Sequence, residues 1–368
     1  MPSRLPLLLA FSLLPACVGL APEASGPAED DVAIPLPSPR PVRPTEPDAG
    51  APGGDTGTPD GDTGTPDDTD GGEPDTGASA GSPLAGLRFW IDPDSNAAQE
   101  AASASESEAV LWRKISEHSV AKWLGGWSGD VESTVGGAVD TAEAAGSTMS
   151  FVVYNLPNRD CGGYSSGGAA DRAEYEAWID GIAAGIGGRT ALVVLEPDGL
   201  SMMDCLSSSE ADDRFAMLAY ATATLKTAGA FVYIDAGHSA WHPADTMAAR
   251  LVQAGVADAD GFALNTSNYE ASEELLAYGE EVSAGAGDAH FVGDTSRNGL
   301  GPTSSHEWCN PSGRALGLPP STESGHPLAD ALLWVKAPGE SDGSCNGGPP
   351  AGDWWPEYAL GLAERAAW

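Results

Sequence analysis

Basic residues are scarce in this chain. Its 368 residues carry 17 Lys and Arg against 54 Asp and Glu, a formal net charge of −37. A phosphate backbone needs a basic footprint, so nucleic acid is excluded as a partner. No Gly-x-Gly-x-x-Gly opens a helix after a first strand, and there is no Walker loop, so the nucleotide-binding folds are disfavoured. Aromatic residues are missing altogether between positions 18 and 83. That stretch is built from Pro, Gly, Ala, Asp and Thr, and cannot bury enough apolar surface to offset the entropy of ordering it.

What is present divides the chain in three. Residues 1–16, "MPSRLPLLLAFSLLPA", place one Arg before an apolar run too short for a lasting membrane span. They read as a secretory signal peptide. Cys17 follows directly, and "LLPAC" resembles a bacterial lipobox, whose cysteine is lipidated after cleavage. Residues 17–83 read as an extended, self-repelling linker around near-repeats of "GDTGTPD". The complete EF-hand spacing is missing there, so no calcium loop is expected. Residues 84–368 hold every Trp and Tyr and read as one folded domain.

Within that domain short apolar segments end in polar residues: "LRFWID", "VAKWL", "FVVYN", "ALVVLE", "FVYID", "GFALN", "HFVGD" and "ALLWVK". Helical spacing separates several of them, notably over 172–186 and 211–229. Alternating strands and helices predict an α/β fold with a parallel sheet covered on both faces. About eight strands suit a barrel like the TIM barrel, whose chemistry sits at the C-terminal ends of its strands.

The strand ends supply the candidates. They are Asp160, Asp198, Asp235 with His238 and Trp241, Asp294 with Arg297 and Asn298, and Lys336 with Glu340 and Asp342. Crowded carboxylates raise one another's pKa, which can keep one protonated as a general acid. Taken singly, each loop Asp is better explained as a cap on turn amides. Recurrence at the same end of successive strands is what argues for chemistry. His238 and His242 have a zinc-ligand spacing, but flanking Gly237 and Pro243 and the missing glutamate of His-Glu-x-x-His argue against a metal. Setting Cys17 aside, Cys161, Cys205, Cys309 and Cys345 suggest two disulfides, with three pairings open.

The motifs "VVYNLPNRDCGGYSSGG", "LVVLEPDGL", "VYIDAGHSAWH", "LNTSNY", "GDTSRNGLGPT", "EWCNPSGRALG" and "ALLWVKAPGESDG" resemble the glycoside hydrolase family 6 cellulases, in that family's order over residues 84–368. The resemblance implies a distorted, seven-stranded parallel α/β barrel and inverting hydrolysis of β-1,4-glucan, without cofactor or metal, by a monomer. It implies Asp198 as general acid, Asp160 as the carboxylate that raises the acid's pKa, and Asp342 as the proposed base. Tyr154 presses on the distorted sugar and Ser166 holds the attacking water. Trp90, His238, Trp241, Asn265, Trp334, Lys336 and Glu340 are expected to bind glucose units. Family spacing implies the disulfides Cys161–Cys205 and Cys309–Cys345. Gly199 stands where the family often has Ser, which implies a looser turn after the acid. The short stretch between Gly343 and the last helix implies an open cleft and internal cutting, with an exo-acting cellobiohydrolase or a catalytically weak glucan-binding lipoprotein as alternatives. Export to the bacterial cell surface, free or tethered through Cys17, completes the expectation.

Overall fold

The computed structural model describes residues 81–368; the leader, Cys17 and most of the acidic linker lie outside the described residues. Seven strands form one parallel sheet in chain order: β1 (Lys122–Leu124), β2 (Met149–Val153), β3 (Ala191–Leu195), β4 (Ala230–Asp235), β5 (Gly261–Leu264), β6 (His290–Asp294) and β7 (Ala329–Leu333). The helices are α1 (Asn96–Ser103), α2 (Glu106–Ser116), α3 (Val131–Ala144), α4 (Arg172–Ile186), α5 (Ser208–Thr227), α6 (Ala244–Gln253), α7 (Ser272–Gly285) and α8 (Pro356–Glu364).

The apolar runs are strands because both of their faces are buried. In β3, Leu192 and Val194 face a barrel interior shared with Val152, Tyr233, Val292 and Leu333. Ala191, Val193 and Leu195 face outward onto the helices, among Ile179, Ile182, Leu218 and Ala221. Period-two alternation thus separates two apolar clusters, as a covered parallel sheet requires. The helices stop and start where the sequence provides caps. Asp171 accepts from the Glu174 amide to open α4, Gly187 closes it at φ 60°, and Ser207 with Glu210 forms a capping box on α5.

One expected strand does not form. "LRFWID" contributes a single parallel bridge, Phe89 to Thr148. The chain turns at Gly86, with φ 78°, and Asp92–Pro93 already leads into α1. Leu84 instead lies within the barrel's interior cluster. The sheet curls without a ladder between β1 and β7. That seam is crossed by the Ala121 amide donating to the Trp334 carbonyl at 3.0 Å and by Trp123 Nε1 donating to the Val335 carbonyl at 2.9 Å.

Buried carboxylates tie the strand exits together. Glu196, after β3, accepts from the amides of Asn155 and Leu156 beyond β2. Asp235, ending β4, accepts from the amides of Asp198 and Gly237. Asp294, ending β6, accepts from Ser267 beyond β5, from Ser296, and from Val335 and Lys336 beyond β7. Each of the three is only 1 % exposed. Removing the Asp294 side chain strands four amides in a buried setting. Asp294→Ala is therefore expected to lose about 3 kcal/mol or more of stability, since a stranded buried donor costs about 1–3 kcal/mol; urea unfolding with an unchanged midpoint would contradict the stitch.

Candidate active site

The exit of β3 is strained. Glu196 and Asp198 have φ 53° and 66°, on either side of Pro197. A non-glycine residue in the left-handed region costs roughly 1–3 kcal/mol, and a residue before proline favours extended backbone. The Asn155 and Leu156 amides hold Glu196 there, and the Asp235 carboxylate holds the Asp198 amide. The effect is to point Asp198 at the rim rather than into the next turn. Gly199 does not loosen this turn. Its amide donates to the Glu196 carbonyl, and a Cβ would come within 2.9 Å of that oxygen and 3.0 Å of Leu156 Cδ1.

Asp198 stands among negative charge. Burial, then Asp235, then Asp160 raise its pKa to about 8, against the donated hydrogen bond from the Tyr154 hydroxyl at 3.3 Å. The sequence assigns the perturbing role to Asp160; the structure gives Asp235 the larger share. Asp160 sits at φ 57° and turns its carboxylate back to accept from the Ser165 amide at 2.6 Å. Asp235 itself is raised to about 6, chiefly by burial. Tyr154 stands edge-on to Trp123, ring centroids 5.4 Å apart, with the Arg159 guanidinium 4.7 Å from its own ring centroid. Ser166 lies exposed on the same loop as Asp160, its carbonyl accepting from Arg159.

Asp342 stands among positive charge. Its Oδ2 accepts from Arg297 Nη1 at 2.9 Å, the Asn310 amide at 3.0 Å and the Tyr269 hydroxyl at 3.3 Å. Lys336 Nζ lies 3.9 Å from its Oδ1 and 4.0 Å from Glu340 Oε2. Burial lowers the Lys336 pKa, opposed by these two carboxylates. Arg297 is fully buried, and its other terminal nitrogen donates to the Ser267 carbonyl.

The remaining expected ligands divide. His238, lowered to about 4 mainly by burial, sits with its ring 5.7 Å from that of Trp241, beyond β4. Trp241 is part-exposed and stacks on His242, whose Nε2 lies 2.7 Å from the Ser201 carbonyl. Three of the expected ligands do not face the rim opening. Asn265 is fully buried, its amide nitrogen donating to the Glu270 and Asp294 carbonyls, so it braces the rim instead of meeting sugar. Trp334 is 1 % exposed and packs behind the sheet with Trp112 and α8, its indole donating to the Leu318 carbonyl. Strand alternation sends it outward, opposite to Leu333 and Val335. Trp90 lies at the far end of the barrel, its amide donating to the Thr148 carbonyl just before β2 begins.

Sequence reading also missed residues. Trp127, Tyr164 and Trp308 are 58 %, 54 % and 50 % exposed. Trp127 covers the Arg159 guanidinium at 5.0 Å, and Tyr164 faces Trp308 with ring centroids 6.2 Å apart. The signal was a lone aromatic in a Gly- or Ser-rich rim segment: "GGWSGD", "CGGYSSGG", "SSHEWC". Both disulfides form as expected, Cys161–Cys205 and Cys309–Cys345. They pin the loops that carry Tyr164 and Trp308.

A parallel barrel that sets one strand-end carboxylate among carboxylates and another among cations, with exposed aromatics on the same rim loops, fits a glycoside hydrolase. The chain belongs to the glycosyl hydrolases family 6, whose model matches residues 84–366. It is 47 % identical to endoglucanase A of Cellulomonas fimi over 283 residues, 76 % of this chain and 62 % of that protein. The match thus spans less than two thirds of that relative's length. Endoglucanase 1 of Streptomyces halstedii is 43 % identical, with 74 % of this chain and 87 % of that protein covered. Among solved structures, the endoglucanase Cel6 from Mycobacterium tuberculosis, in complex with methyl-cellobiosyl-4-deoxy-4-thio-β-D-cellobioside, is similar with a TM-score of 0.74 and 44 % identity, over 77 % of this chain and 99 % of that one.

A general acid works only while it holds its proton. With Asp198 read as that acid, activity is expected to fall as pH rises through about 8, the value to which Asp198 is raised. Asp235→Asn keeps an acceptor for the Asp198 amide but removes a charge that raises Asp198, so the alkaline limb should move to lower pH. A pH profile of kcat/KM that leaves the limb in place would show that Asp235 does not tune the acid.

Proposed function

We propose that the protein is an inverting endo-β-1,4-glucanase. One observation carries the reading: two rim carboxylates sit in opposite electrostatic settings, Asp198 among carboxylates and Asp342 between Arg297 and Lys336. Titratable groups whose environments are pushed apart are the usual mark of an acid and its counterpart. In this reading Asp198 gives its proton to the glycosidic oxygen as the bond to the anomeric carbon breaks. Water attacks that carbon from the other face, and its proton passes to Asp342 or, through the Asp160–Ser166 loop, to solvent. Tyr154 lies against the acid, where it would press on the sugar ring.

The endo mode is supported by the names of the relatives and by the last rim loop. Residues 343–355 fold back on themselves, with Ser341 Oγ donating to the Pro349 carbonyl and the Ser341 amide to the Asp353 carbonyl. Cys345 is tied to Cys309. One contact favours the exo alternative: Tyr164 lies against Gly343, so the loop after β2 meets the loop after β7. No hydrogen bond joins those two loops among the described residues. Viscosity of carboxymethyl-cellulose should fall quickly per reducing end released, with the α-anomer as first product. Asp198→Asn should lower kcat by about 10²–10⁴-fold, the usual contribution of general acid catalysis. Release of cellobiose at nearly constant viscosity would support the exo mode, and early β-anomer would remove inversion.

In the same reading residues 84–368 form the catalytic unit and act as a monomer. The chain is exported, and the acidic linker spaces that unit from an envelope anchor at Cys17. The apolar leader and the two disulfides support export. Cys17→Ser should move the protein from the membrane to the soluble fraction, and unchanged fractionation would favour plain secretion.

A further inference from the structure

A well-formed cavity among the described residues lies away from the rim. It is about 390 Å³ and opens at the opposite end of the barrel, where β2 begins. Its walls come from the segment before α1 (Arg88, Phe89, Trp90), the end of α2 (Glu117, His118), the turn before β2 (Ser147), and residues 320–322. The volume is in the range of small-ligand pockets, about 300–1,000 Å³.

Three features narrow what it could hold. First, Phe89 and Trp90 present half-buried aromatic surface to it. The His118 ring is fixed edge-on between Trp334 and Trp368, 5.1 and 5.3 Å between centroids, so this wall is rigid. Second, the side chains of Arg88, Trp90, Glu117, His118, Ser119 and Ser147 make no hydrogen bond to any described residue. Polar side chains of both charge signs therefore border one concavity without a protein partner among the described residues. Third, Arg88 and Glu117 balance one another, which suits neither a strongly anionic nor a strongly cationic ligand. An aromatic plane edged by bidentate donors and acceptors is what a neutral sugar ring needs, one face apolar and its rim hydroxylated.

We propose that this cavity is a second glucan-binding site, remote from the rim, with Trp90 as its stacking platform. It rests on the glucan reading of the rim. Its use would be to hold the enzyme on a polymer while the rim samples chains.

The test uses the full chain carrying Asp198→Asn, titrated with cellotetraose by calorimetry. Adding Trp90→Ala should reduce the number of bound oligosaccharides by one and leave the affinity of the rest unchanged. Trp90 is half-buried, so the exposed pair Arg88→Ala and Glu117→Ala serves as a second variant, and should weaken the same site roughly three- to tenfold. With Asp198 intact, Trp90→Ala should keep kcat/KM on a soluble cello-oligosaccharide but lower retention on insoluble cellulose. An unchanged number and affinity of sites in both variants would overturn the proposal. Absence of hydrolysis in the unsubstituted chain would instead overturn the reading of the rim, while the titration would still decide whether the cavity takes sugar.

Discussion

The acceptance of backbone amides by buried carboxylates is the interaction on which the rest of this structure depends. A parallel barrel ends its strands together at one rim, and each exit leaves N–H groups without a ladder partner. Here Glu196, Asp235 and Asp294 take those groups from the neighbouring exit, β2 to β3, β3 to β4, and β5 and β7 to β6. The exits of β2 and β3, β3 and β4, and β5, β6 and β7 are thereby tied to one another by carboxylate–amide hydrogen bonds. The seam between β1 and β7 is crossed by two donated hydrogen bonds, from the Ala121 amide and from Trp123 Nε1.

The same stitches create the chemistry. Asp235 holds the amide of Asp198 and, by its charge, helps keep the Asp198 carboxyl protonated. Burial does the larger part, and a neighbour that is both a structural acceptor and a negative charge adds to it. The left-handed turn Glu196-Pro197-Asp198 would be unfavourable in isolation, yet it persists because its amide and carboxylate partners are rigid. On the other side, Arg297 sits fully buried beneath Asp342, with Tyr269 against its guanidinium at 4.4 Å. The surroundings of Asp198 and Asp342 thus embody two different solutions to burying charge: crowding like charges, or pairing opposite ones.

Much of this was legible from residues. The apolar runs, the 3.6-residue periodicity of 172–186 and the polar residue closing each strand predict the alternation that the sheet displays. The motifs carry Asp160, Asp198, Tyr154, Lys336, Glu340 and Asp342 to one rim. Misplaced residues share one cause. Asn265, Trp334 and Trp90 sit in motif-like stretches, but the direction of a side chain depends on strand parity and on which end of the barrel a segment reaches. Trp334 is one residue from Leu333, and the pleat sends them to opposite faces.

The amino-acid sequence by itself determined the order of strands and helices, the buried character of the sheet, the carboxylates at its exits and the family, because periodicity and motif are local properties of the chain. Only the tertiary structure decided which carboxylates brace the rim and which face its opening. Asp235 and Asp198 are 37 positions apart in sequence and meet through one amide. Arg297 and Asp342 are 45 apart. The pKa of an acid is set by the charges and burial around it, and those neighbours are fixed only when the sheet closes.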